Sequence, residues 1–125
     1  MKRETIHIPG VSHSMPTPMG VKLGNIVFSS AVMGKDPATN EIPEDVKKEI
    51  EFVFKNIVTF MKNAGGTTDN IGHINFFVSS KEIRPLINEE WLNMFPDENN
   101  RPARHIVKLD MPPGVNLQAE FIAVL

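Results

Sequence analysis

The chain has no cysteine, no tyrosine and a single tryptophan among its 125 residues. The missing thiols exclude disulfides, thiolate metal sites and a cysteine nucleophile together. With no tyrosine and one indole there is no evident stacking platform for unpaired bases. Positive charge is also short: 13 Lys+Arg against 15 Asp+Glu give a formal net charge of −2. Nucleic-acid binders concentrate basic groups in a stripe, but here Lys47-Lys48 is followed at once by Glu49 and Glu51. Nucleic acid is therefore not an expected partner. No apolar run approaches the ~18 residues of a membrane-spanning helix. Met1-Lys2-Arg3-Glu4-Thr5 has no apolar segment behind it, so neither a secretory signal nor membrane association is expected. The expected location is the cytoplasm.

What remains is ordinary globular composition, 41% hydrophobic and 22% charged. The length suits one domain over residues 1–125, and no repeat or long linker divides it. Glu4–Ile8 alternates as an edge strand before Pro9-Gly10. Pro16 and Pro18 force the Ser12–Pro18 segment to be irregular. Val21–Leu23, Gly24-Asn25 and Ile26–Ser30 read as a hairpin, and Asp36–Asn40 as a turn. From about Pro43 to Ala64 the period lengthens: Val46, Ile50, Val53, Ile57, Phe60 and Ala64 form one helical stripe. Glu44 and Asp45 suit its positive end, Lys62 its negative end, and Gly65-Gly66 stops it. Ile71–Val78 reads as a buried strand, Arg84–Phe95 as a second helix with Pro85 in its first turn. Ala103–Leu109 and Asn116–Val124 close the chain as strands. The order β-β-β-α-β-α-β-β predicts an α+β fold, a mixed sheet with two helices on one face. The uncovered face is expected to be apolar and to drive association.

The polar groups with chemical potential fall mainly in the last quarter of the chain. Arg104 begins a strand, where it serves either a salt bridge, with Glu120 for example, or a planar clamp for an anionic carboxylate. Gln118 and Glu120 share a strand face because side chains alternate with period two. Of the two only Glu120 can exchange a proton near neutrality; the competing reading pairs it with a base across the sheet. His7, His13, His73 and His105 are scattered, with no pair at metal-ligand spacing, so no metal or other cofactor is expected. His73 and His105 are expected to be half-buried. His13, in the irregular loop, is expected in solvent, with a ligand within its reach. Ser29-Ser30 lacks a nucleophile-elbow pattern; Ser30 is either a donor at a pocket rim or a plain strand serine.

The landmarks together resemble the Rid family (YjgF-type proteins, also labelled L-PSP endoribonucleases). The match runs through Gly20–Asn25 into Ile26–Ser30, the turn Asp36–Pro43, Ala64-Gly65-Gly66, Asn88-Glu89-Glu90-Trp91, Phe95-Pro96, Pro102-Ala103-Arg104 and Leu117–Val124. The resemblance implies a chorismate-mutase-like fold and a homotrimer with clefts between subunits. It also implies hydrolysis of enamine or imine intermediates to a 2-keto acid and ammonia. Arg104 would grip the substrate carboxylate, the Ile106 carbonyl would help hold water, and Ser30 and Asn88 would line the pocket. Thr17 stands where deaminase-type members carry a tyrosine, and Ile106 where they carry a cysteine. Gln118 stands at the position of the acid that activates water, with Glu120 two residues on. Gln118 can orient water but cannot take its proton, which leaves Glu120 to supply the transfer. The implied function is thus a small-molecule hydrolase or deaminase acting on a carboxylated metabolite. The alternative is a non-catalytic carboxylate-binding module for sensing or scaffolding; ribonuclease activity follows only from the family's older label.

Overall fold

A computed structural model describes all of residues 1–125. Its seven strands are β1 (Glu4–Ile6), β2 (Gly20–Leu23), β3 (Ile26–Ser29), β4 (Val32–Met33), β5 (Ile71–Val78), β6 (Ala103–Lys108) and β7 (Leu117–Val124). Its two helices are α1 (Val46–Ala64) and α2 (Arg84–Met94). The strands join in the order β1-β2-β3-β7-β5-β6, with β4 added alongside β7. All pairings are antiparallel except β5 with β6, which α2 connects as a parallel crossover. This is the expected α+β arrangement with the short β4 added. Two residues are too few to carry a periodic signal, so β4 could not be read from the sequence.

Local chemistry accounts for the element boundaries. The Gly24-Asn25 turn brings Leu23 opposite Ile26, and Gly24 takes φ 63° there, where a side chain is disfavoured. Helix α1 starts later than Pro43 because Asp45 caps it, its side chain accepting from the Lys47 N–H. Gly65 closes it in the left-handed region, at φ 92°, its N–H returning to the Lys62 carbonyl. The first strand stops at Ile6, short of the expected Ile8.

Alternation sorts β7 cleanly. Leu117, Ala119, Phe121 and Ala123 are buried beneath the helices, whereas Gln118, Glu120, Ile122 and Val124 point the other way. Ile74, Phe76 and Val78 of β5 join the buried set. Ile50, Val53, Ile57 and Phe60 from α1 and Ile87 and Trp91 from α2 close over them. Fully burying each such side chain contributes about 1.5–3 kcal/mol. The aromatic rings interlock: Phe60 meets Phe121 edge-on at 5.0 Å, and Phe76 meets Trp91 at 6.1 Å.

The uncovered sheet face is only partly the apolar surface expected. Ile26, Phe28, Ile122 and Val124 form an exposed apolar patch across β3 and β7. Toward β5 the same face turns polar, with His73, Asn75 and Glu120.

Two polar side chains lie fully within the core, and neither stood out in the sequence. Glu49 is 0% exposed and accepts from the N–H groups of Asn116 and Leu117 and from the Asn116 amide, at 2.8, 3.3 and 2.8 Å. Asn56, 1% exposed, donates to the carbonyls of Met33 and Lys35. They sit seven residues apart on the same helical face, so one rivets the start of β7 and the other the end of β4. A side chain on Gly34 would run into the Glu49 backbone, which explains the glycine where β4 leaves the sheet.

Candidate functional site

Arg104 enters through β6, the last strand of the sheet. It lies opposite Ile74, a buried residue, so its side chain turns toward the helices. There the guanidinium lies 4.9 Å from the centre of the Trp91 ring, and Nη2 donates to Asn88 Oδ1 at 2.8 Å. Both partners belong to α2, and three-residue spacing puts them on one face of that helix. Nη1 is shielded from solvent and has no partner. Burial, and secondarily the Arg84 cation, lower the guanidinium pKa from its usual value. Leaving a charged donor without a partner costs about 1–3 kcal/mol or more. A half-buried cation is thus held in one orientation, with its Nη1 donors idle.

The salt bridge to Glu120 offered as one reading of Arg104 does not form. Arg104 faces the helices, whereas Glu120 lies on the uncovered face of β7, opposite Asn75, whose amide reaches it at 3.3 Å. With Glu120, His73, Asn75 and Ser29 line a depression of about 200 Å³. The Ser29 hydroxyl is itself occupied, accepting from the Phe121 N–H at 2.8 Å.

A second cavity, about 320 Å³, opens beside β4 and the first half of β7. Thr17, Ser30 and Gln118, three of the expected site residues, line it together, with His13, Met33 and Lys35. Gln118 is placed by its pairing with Met33 on one side and Phe77 on the other. Ser30 is held through its N–H on the Met19 carbonyl. Gln118 and Glu120 share a face as expected, yet they open into different cavities. Ile106 lies two residues beyond Arg104 on β6, half-buried and opposite Phe76.

The histidines depart from expectation. His73 and His105 are exposed, because each falls on the outward beat of its strand. His13 is half-buried instead of solvated, and its Nε2 is shielded with no hydrogen-bond partner. No group of three or more His, Asp or Glu side chains is gathered to hold a metal ion. No helix is long and apolar enough to cross a membrane.

Within one chain, then, Glu120 stands apart on the uncovered face, and the main expected residues form two further separated groups. Arg104 and Asn88 lie at the β6–α2 edge; Thr17, Ser30 and Gln118 lie beside β4, with β5 between β7 and β6.

Comparison with known proteins gives a consistent outcome. The family model described as Endoribonuclease L-PSP matches residues 15–125. A RutC family protein of Haemophilus influenzae is 32% identical over 112 residues, spanning 87% of this chain and 86% of its own length. A protein of Escherichia coli K12 named as a reactive intermediate deaminase, TdcF, is 31% identical over 123 residues, spanning 97% and 94%. Among solved structures, RidA from an Antarctic Psychrobacter superposes with TM-score 0.90 at 29% identity, covering 98% of this chain and all of that one. E. coli TdcF with bound serine superposes with TM-score 0.86 at 28% identity, covering 98% of each chain.

Proposed function

The chain belongs to the Rid family, the one described as Endoribonuclease L-PSP, and from that premise we propose that it is a hydrolase of small carboxylated imines or enamines, working in a cleft between subunits of a homotrimer. The idle Nη1 of Arg104 carries this reading: a half-buried, oriented cation whose Nη1 donors are unused fits a carboxylate. Asn88 and Trp91 fix the fork, so a carboxylate meets a preset geometry and little side-chain freedom is lost on binding. The serine held by TdcF is a ligand of the same carboxylate class.

The separation of the two groups supports an assembly in which they meet between copies. A β6–α2 edge seated against the β4–β7 cavity of another copy brings Arg104 and Asn88 to Thr17, Ser30 and Gln118. The Ile106 carbonyl and the Gln118 amide would then hold a water between them. The exposed patch of Ile26, Phe28, Ile122 and Val124 supplies apolar area for that contact.

The test is hydrolysis of freshly generated 2-iminopropionate to pyruvate and ammonia, with wild type and Arg104→Ala, alongside sedimentation to count subunits. Acceleration over buffer that Arg104→Ala abolishes supports the reading; no acceleration by a pure, folded trimer rejects it for this substrate class.

Gln118 favours a second reading, in which the same cleft binds a carboxylate ligand without turning it over. An amide at the water-activating position fits a receptor as well as an enzyme. Thermal stabilisation by pyruvate that Arg104→Ala abolishes, without turnover of any imine, would establish that version.

A further inference from the structure

If Gln118 cannot take a proton from water, another group at the same cavity must. Of the ten residues around it, Lys35 alone bears a fixed charge, and there is no carboxylate. The Lys35 ammonium donates to the Ser12 carbonyl at 2.6 Å, so it is engaged as a donor. Ser14, Thr17 and Ser30 offer only hydroxyls, which are not bases near neutrality. That leaves His13. Its Nε2 is enclosed and without a partner, an arrangement that costs free energy unless a ligand or water completes it. The loop around it is tethered: Ser12 N–H donates to Asn40 Oδ1 at 3.0 Å, and the Asn40 amide returns to the Ser12 hydroxyl at 3.1 Å.

We propose that His13 is the proton acceptor of this site, taking the role that an acid at position 118 would otherwise fill. The inference rests on the hydrolase reading above. Nε2 takes a proton from water as the water oxygen bonds to the imine carbon. The C=N π pair moves onto nitrogen, which receives that proton from the imidazole, and a carbinolamine results. In the second half Nε2 takes the carbinolamine hydroxyl proton, the C=O bond forms and the C–N bond breaks. The departing nitrogen collects the proton and leaves as ammonia. Imine and water thus become ketone and ammonia, with the imidazole regenerated twice. Burial, and then the Lys35 cation, lower the His13 pKa, which keeps the ring neutral and able to accept a proton around pH 7.

The experiment is the pH dependence of kcat/KM for 2-iminopropionate from pH 5 to 9. It compares wild type with His13→Gln, His13→Asn, Gln118→Glu, Glu120→Gln and the double variant His13→Gln/Gln118→Glu. Wild type should lose activity on the acid side with an apparent pKa below 6.5. Both His13 variants should fall roughly 10²–10⁴-fold and lose that limb. The double variant should recover, with its acid limb moved to the carboxylate range. Active wild type that is unaffected by either His13 variant overturns the inference and leaves the hydrolase reading standing. So does a profile that moves with Glu120→Gln alone. Inert wild type with active Gln118→Glu shows a working pocket in which His13 does not replace the acid, and overturns it too. Inactivity of both removes the hydrolase reading and the inference with it. Nitrogen-15 spectra of the histidine rings provide the check independent of folding losses. Saturation with pyruvate should move the His13 signals, and unmoved His13 signals in a protein that binds pyruvate would count against it.

Discussion

Glu49 and Arg104 are both charged side chains drawn into the protein, but their surroundings differ in kind. Glu49 is completely enclosed and receives three hydrogen bonds, from two backbone N–H groups and one amide. Arg104 makes one hydrogen bond, rests on an indole and leaves its shielded Nη1 unused. The first is a finished structural joint between α1 and β7; the second is an unfinished one, and in the function proposed above a ligand supplies the missing partner. Burial of a charge does not by itself mark function. Donors left unsatisfied single out the candidate.

That contrast is open to attack by substitution, and the largest effect falls on the finished joint. Glu49→Ala strands the N–H groups of Asn116 and Leu117 and should cost about 3–5 kcal/mol, read as a lower urea midpoint. An unchanged midpoint would break the comparison. Arg104→Met should do the reverse, leaving stability unchanged or raising it, because an unpaired buried donor disappears. It should also weaken pyruvate binding about 10–100-fold, read by titration calorimetry, since a hydrogen bond to a charged group contributes about 1.5–3 kcal/mol. Asn56→Ala frees the Met33 and Lys35 carbonyls and should cost about 1–2 kcal/mol. It should loosen the β4 wall of the cavity and speed hydrogen exchange there more than in α2.

The smallest effect is a pH slope. The His13 pKa is lowered in the folded state, so the unfolded chain binds more protons in the window just below 6.5. Stability should therefore fall as pH drops through that window, and His13→Asn should flatten the fall. Lys35 is the only charged neighbour at the cavity, and Lys35→Met should reduce the slope without removing it, because burial is the larger cause. Urea midpoints at pH 5.5 and 7.5 measure both.

Much of the fold was legible because it rests on local rules. The α1 stripe, the Gly65 stop, the Gly24-Asn25 hairpin and the alternation of β7 are all periodicities or backbone preferences of a few residues. Glu49 and Asn56 leave only an indirect signal in the sequence. They interrupt the side of the helix occupied by Ile50, Val53 and Ile57, and polar residues on an apolar face require partners. Those partners lie 67 and 23 residues away, and local pattern does not reach that far. The histidines, too, are placed by geometry that local pattern does not encode. His73 and His105 take the outward beat of strands whose register was unknown, and His13 sits in a loop whose path only the fold defines.

The sequence by itself determined the longer elements, the family resemblance and the residue types at the expected site, Gln118 among them, since these depend on spacing and identity. Only the tertiary structure decided which of those residues meet. It set Arg104 against Trp91 and Asn88, separated it from Glu120 by the thickness of the sheet, and brought His13 to the Gln118 cavity. The reason is geometric: a strand residue's neighbours are set by register and sheet order, which hydrogen bonds between distant segments create and no local pattern encodes.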